Sequence, residues 1–155
     1  MKTFYLKSTP FFLVSMVIMI IVFVFSCSKS RINEKEAQQI LHDFYTDRVP
    51  EPINDRHLLN AGKGIVPYLI IEIQKKDMPK RGYAILALGK IGDRRALPEL
   101  TNILKDRSDE IHARSDAIRA IWHIDKKYGE EFARKFYGEN HEIDRTIELL
   151  RGSNL

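Results

Sequence analysis

The sequence predicts an all-α fold, a short α-solenoid of stacked helical hairpins with a capping helix at each end. Three observations carry this. Apolar residues recur at helical spacing through the chain after Asn33. The stretch 81–91 returns as 114–124: Arg81 aligns with Arg114, Ala84 with Ala117, Ile85 with Ile118, Ala87 with Ala120, Leu88 with Ile121 and Ile91 with Ile124, all at an offset of 33. A second set places Val66-Pro67-Tyr68-Leu69 on Leu97-Pro98-Glu99-Leu100 and Ile73 on Leu104, at an offset of 31. Self-similarity of this period marks helical units that cannot bury their apolar faces alone and do so by stacking.

The elements follow in order. A first helix is expected over 34–45, where Ala37, Ile40, Leu41, Phe44 and Tyr45 share a face and Asn33 can cap the N-terminus. Val49-Pro50-Glu51-Pro52 ends it, because each proline disfavours helix at the residue before it. Further helices are expected at about 55–61, 64–76, 79–90, 95–105, 109–124, 128–137 and 140–151. Gly62 stops one helix, and the next restarts after Gly64. Gly92 and Asp93 turn the chain between two helices, and Pro98 sits in a first turn, where its missing N–H costs little. Leu88, Ile91, Leu97, Leu100, Ile103 and Leu104 form the buried stripe.

The string Arg81-x-x-Ala84-x-x-Ala87-Leu88-Gly89-x-Ile91-Gly92-Asp93-x-x-Ala96-Leu97-Pro98-x-Leu100 resembles a HEAT repeat, most closely the variety found in phycobilisome lyases. The resemblance covers about residues 64–124 and implies a right-handed solenoid. Across the two aligned repeats Arg81, Gly89, Asp93, Arg114 and Trp122 are expected to have structural roles. Gly89 lets a neighbouring helix pass. Arg81 and Arg114 form a ladder to acids or carbonyls of neighbouring turns, with Asp93 as the natural partner of Arg114. Trp122 replaces the glycine of the preceding repeat and marks the end of the array. It is expected to pack on Phe132 or Phe136, in a last layer that also holds Tyr137. The helix with Ile40, Leu41 and Phe44 is the expected cap at the other end.

The N-terminus has a different character. Lys2 and Lys7 precede an apolar run over 11–25, and Ser26 and Cys27, the chain's single cysteine, close it. A basic start, a short apolar core and a small residue are the marks of a secretory signal. Followed by cysteine, they resemble a bacterial lipoprotein signal peptide, although Phe25 is bulkier than the residue usually found there. The resemblance implies lipidation of Cys27 and a membrane anchor. The other reading is an uncleaved anchor, with Lys2 and Lys7 on the cytoplasmic side. Either puts the remaining chain outside the cytoplasm, in the cell envelope. Ser28 carries no acidic retention signal, which by resemblance to enterobacterial sorting favours the outer membrane. The expected organisation is a signal peptide over 1–26, a tether with one helix and a proline-containing linker over 27–54, and a repeat domain over 55–155.

Loss of residues 1–26 would lower the net charge from +4 to about +2. That near-balance argues against an electrostatic nucleic-acid binder, and acidic residues interleave the basic clusters at Lys75-Lys76, Lys80-Arg81, Arg94-Arg95 and Lys126-Lys127. With one cysteine, no internal disulfide can form. His42, His57, His112, His123 and His141 include no His-Glu-x-x-His pair. The dipeptide His141-Glu142 resembles the iron-binding pairs of deoxyhypusine hydroxylases, but it occurs once. Ser108, Ser115 and Ser153 lack a nucleophile elbow. Asp106 and Asp109 read as loop caps, and His123 with Asp125 as a surface pair. No catalytic, cofactor-binding or metal-binding residue is therefore assigned. The expected function is a non-enzymatic protein–protein interaction module that meets another envelope protein and takes no cofactor. The alternatives are an enzyme or enzyme accessory related to HEAT-repeat lyases or hydroxylases, and a lipoprotein immunity factor.

Overall fold

Side-chain caps and tight turns set the helix boundaries in the computed structural model, which describes residues 32–47 and 56–153. The expected signal segment, Cys27, Pro50 and Pro52 lie outside the described residues. Helix α1 spans Glu34–Thr46, and the Glu36 N–H donates to Asn33 Oδ1 at 2.9 Å. Its C-terminal end is held by Lys80, whose ammonium donates to the Phe44 carbonyl at 2.7 Å.

Helix α2 (Arg56–Ala61) runs into a 3-10 turn at Gly62–Gly64, where Gly62 takes a φ of +57°. Helix α3 (Val66–Glu72) then starts with Pro67 in its first turn. It ends four residues short of the expected position. Met78 precedes Pro79 and is pushed away from helix. The Ile73 carbonyl accepts a 2.6 Å hydrogen bond from Arg81 Nε, and the chain turns through Lys75 and Met78 instead.

Helix α4 (Arg81–Ile91) stops at Gly92, whose φ of +70° suits glycine. Asp93 caps the 3-10 turn Arg94–Ala96 by accepting from the Arg95 N–H, and α5 (Leu97–Lys105) follows. Helix α6 (Ile111–Ile124) lies at the centre. Asp125 ends it and caps α7 (Lys126–Phe136), with the Tyr128 N–H donating at 3.0 Å. That cap starts α7 two residues before its expected position. Asn140 caps α8 (His141–Gly152) in the same manner at 2.8 Å.

The architecture is all-α, with no strand among the described residues. Helices α2, α4, α6 and α8 pack side by side in one layer, and α1 packs on α2. Helices α5 and α7 both lean on α6 from the second layer. The sequence repeat is a repeat of burial. Ala84 and Ala117, Ile85 and Ile118, and Leu88 and Ile121 are all fully buried, as are Ile73 and Leu104. The small residues allow the first layer to close up. A Cβ on Gly89 would lie 2.7 Å from Ala120 Cα, so α4 and α6 meet at backbone distance. A Cβ on Gly129 would lie 2.6 Å from Trp122 Cα, which fixes α7 against α6 in the same way. Among the described residues no helix is long and apolar enough to cross a membrane.

Candidate functional site

The second layer leaves an open groove of about 450 Å³ between α5 and α7. Leu97, Pro98, Thr101 and Asn102 form its α5 wall, Tyr128 the α7 wall, and Arg94 one end. The wall follows from the sequence. Pro98 lies in the first turn of α5, and Leu97 and Thr101 follow at helical spacing on its inward face. Below Tyr128, the α7 aromatics form a row: Tyr128 meets Phe132 edge-on at 4.8 Å, and Phe132 stacks on Phe136 at 6.0 Å. Lys105 lies over the Phe132 ring at 5.5 Å. Arg94 is held by Asp125 at 2.8 Å. Among the described residues, Thr101 Oγ1 is buried without a hydrogen-bond partner. A buried hydroxyl left without a partner costs free energy.

Two arginines tie successive repeats together. Arg81 donates through Nε to the Ile73 carbonyl, and its two terminal nitrogens grip Asp109 at 2.6 and 2.8 Å. Arg114 donates through Nε to the Leu104 carbonyl at 3.0 Å and pairs with Glu139. Ile73 and Leu104 are repeat equivalents, as are the two arginines, so the ladder is periodic. Each acid lies two residues ahead of the next first-layer helix. Burial by itself would push the Asp109 carboxyl up, but the Arg81 guanidinium and the Glu110 N–H hold it below the ordinary carboxylate range. Hydrogen bonding to Arg114 lowers Glu139, against the effect of its burial.

Several expected pairings differ. Asp93 does not meet Arg114; it is buried and binds Arg95 at 2.6 Å, because the Asp93 cap places it beside its own 3-10 turn. Asp109 accepts the Glu110 N–H at 2.8 Å, as a loop cap does, and is in addition the partner of Arg81. Asp125 pairs with Arg94 rather than His123. Tyr137 is half exposed and donates to Glu148 instead of joining the last buried layer. Trp122 is 5% exposed, with its backbone against Gly129. The basic clusters are largely committed internally: Lys75 to Glu72, Lys76 to Asp106, Arg81 to Asp109, and Arg94 and Arg95 to aspartates.

Two features escaped sequence reasoning: Thr101, and a polar cleft on the other layer. That cleft holds about 260 Å³ between α6 and α8 and is lined by His112, Ser115, Asp116, Arg119, Glu142, Arg145, Thr146 and Leu149. Ser115 and Thr146 share a hydrogen bond of 2.6 Å at its buried side. Burial pushes the Asp116 carboxyl up to about 6, with Arg119 and His112 opposing. Among the described residues, no group of three or more His, Cys, Asp or Glu side chains could hold a metal ion.

Residues 80–106, the span from the start of α4 to the end of α5, match the PBS lyase HEAT-like repeat family. No curated protein matches the chain, and no solved structure does.

Proposed function

We propose that the chain is a membrane-anchored lipoprotein of the bacterial cell envelope, tethered through Cys27, whose helical repeats dock another envelope protein. The α5–α7 groove carries the reading. Leu97, Pro98 and Tyr128 give it an apolar lining, Arg94 and Asn102 add polar groups, and among the described residues the Thr101 hydroxyl is buried without a partner. An apolar floor with a few fixed polar groups is the general form of a recognition surface. Stacked repeats expose such grooves because each hairpin packs on its neighbours and leaves its outer edge open. The anchor rests on the basic start, the apolar run and the single cysteine at its end. A stable tether needs more than one acyl chain, which lipoprotein processing at Cys27 would supply.

The test is photocrosslinking in cells that produce the full chain. A photoreactive residue at Asn102, in the groove, is expected to give a discrete adduct identified by mass spectrometry. The same residue at Lys35 on α1 is expected to give none. Pro98→Trp, which fills the groove, is expected to remove the Asn102 adduct. Equal labelling from both positions would refute the groove as the docking face. A palmitate analogue is expected to label the chain but not the Cys27→Ser variant. Equal labelling of the two would refute the anchor.

A further inference from the structure

The first-layer cleft between α6 and α8 contains charges that stand apart. Asp116 and Arg119 project from α6, and Glu142 and Arg145 from α8. Buried carboxylates elsewhere in this fold are held directly by arginine: Asp93 by Arg95, and Asp109 by Arg81. Among the described residues, none of these four charged side chains makes a direct hydrogen bond or ion pair, and Arg119 and His112 act on Asp116 only through longer-range charge. Asp116 is the most confined. It is packed so closely on α4 that a Cβ at Gly82 would lie 2.6 Å from its Oδ2. A mostly buried carboxylate without a direct partner is costly unless it is protonated or paired by something else.

The charge pattern selects the chemistry of that missing partner. A lone cation entering the cleft would be repelled by Arg119, Arg145 and, when protonated, His112. A lone anion would be repelled by Asp116 and Glu142. A ligand carrying both charges satisfies both sets. The cleft holds about 260 Å³, below the roughly 300 Å³ at which pockets begin to accept drug-sized ligands. Its buried wall offers the Ser115–Thr146 hydroxyl pair, and its rim offers Leu149, which is 59% exposed. We propose that this cleft binds a small zwitterion with an ammonium and a carboxylate at amino-acid spacing. Its ammonium meets Asp116, and its carboxylate lies between Arg119 and Arg145. The elevated proton affinity of Asp116 fits a group that gains a cation only when the ligand arrives.

The experiment is calorimetric titration of the purified full chain in detergent with the twenty L-amino acids, and with ethanolamine and acetate as single-charge controls. At least one amino acid is expected to bind saturably, with ethanolamine and acetate at least tenfold weaker. Asp116→Asn is expected to lose at least tenfold in affinity. Arg145→Met, at an exposed position that does not threaten the fold, is expected to lose a similar amount. Circular dichroism checks that both variants are folded. Absence of saturable binding by any amino acid overturns the proposal. So does ethanolamine binding as tightly as the best amino acid, or a folded Asp116→Asn chain that binds unchanged. Crosslinking from Asn102 reports on the opposite layer, so either result can fail without the other.

Discussion

The guanidinium of Arg81 grips the carboxylate of Asp109 through two hydrogen bonds of 2.6 and 2.8 Å, with both side chains almost wholly out of water. The pair joins the start of α4 to the loop ahead of α6, so it locks one repeat onto the next. Two-pronged geometry and the third bond to the Ile73 carbonyl use the arginine fork in a manner lysine cannot copy. Arg81→Met leaves Asp109 buried and unpaired, and is expected to cost about 3–5 kcal/mol. The double variant Arg81→Met, Asp109→Leu is expected to recover much of that loss, because no stranded charge remains. Urea denaturation followed by circular dichroism measures both. A single variant within about 1 kcal/mol of the parent would show that the pair is not an inter-repeat lock.

Two glycines near each other in sequence are expected to fail for different reasons. Gly89→Ala places a Cβ 2.7 Å from the Ala120 backbone, so α4 and α6 must separate, at a cost of about 1–3 kcal/mol. Gly92→Ala meets nothing within 4 Å, but its φ of +70° penalises a side chain by about 1–2 kcal/mol. A second change separates the mechanisms. Gly92→Asn, which tolerates the left-handed region, is expected to regain part of the loss. No asparagine should rescue Gly89. Thermal unfolding of the four variants gives the comparison.

Trp122 supplies a direct optical probe, because it is the chain's single tryptophan and is buried. Gly129→Ala brings a Cβ within 2.6 Å of Trp122 Cα, and must move α7 or α6. The native emission of the parent is expected at short wavelength, as suits a buried indole, and that of Gly129→Ala is expected to shift to the red with loss of stability. Unchanged emission together with unchanged stability would mean that the close α6–α7 approach is not needed.

What was legible in the sequence is what depends on helical periodicity. Ala84 with Ala117 and Leu88 with Ile121 are buried in pairs because a repeated face meets a repeated neighbour. Asn33 was readable as a cap because capping needs only local spacing. The acids of the arginine ladder were not readable. Arg81 meets Asp109 at a separation of 28 and Arg114 meets Glu139 at 25, since the hairpins between them differ in length. An alignment at a fixed offset therefore cannot register the acids with one another. The early end of α3 also depends on a residue of the next helix, since Arg81 takes the Ile73 carbonyl. Asp116 was hidden for a related reason. Its burial is set by α4, where Gly82 leaves room for it, and no feature of α6 alone reveals that.

Asp116 gives a stability prediction whose sign can be worked out. In the fold its carboxyl is pushed up to about 6, chiefly by burial, whereas an unfolded chain leaves it near 4. The fold therefore favours the protonated form, and ionisation opposes folding. The penalty is absent below about pH 4, grows as the pH rises towards 6, and is complete above that. The difference corresponds to at most about 3 kcal/mol, which the remaining water contact reduces to roughly 1–2 kcal/mol. Asp116→Asn removes the titration and nearly preserves the shape. It is expected to be more stable than the parent by that amount at pH 7, and equal to it near pH 4. Other groups titrate over this range. Burial holds His123 below the ordinary histidine range, so its protonation weakens the fold as the pH falls. Asp93, Asp109 and Glu139 are held low by arginines, and their stabilisation is lost in acid. These contributions are common to parent and variant and cancel in the difference. Urea midpoints of the two proteins between pH 4 and pH 7.5 test the argument. A gap that stays constant across that range would mean that the Asp116 carboxyl does not carry the penalty, and that the substitution acts through packing instead.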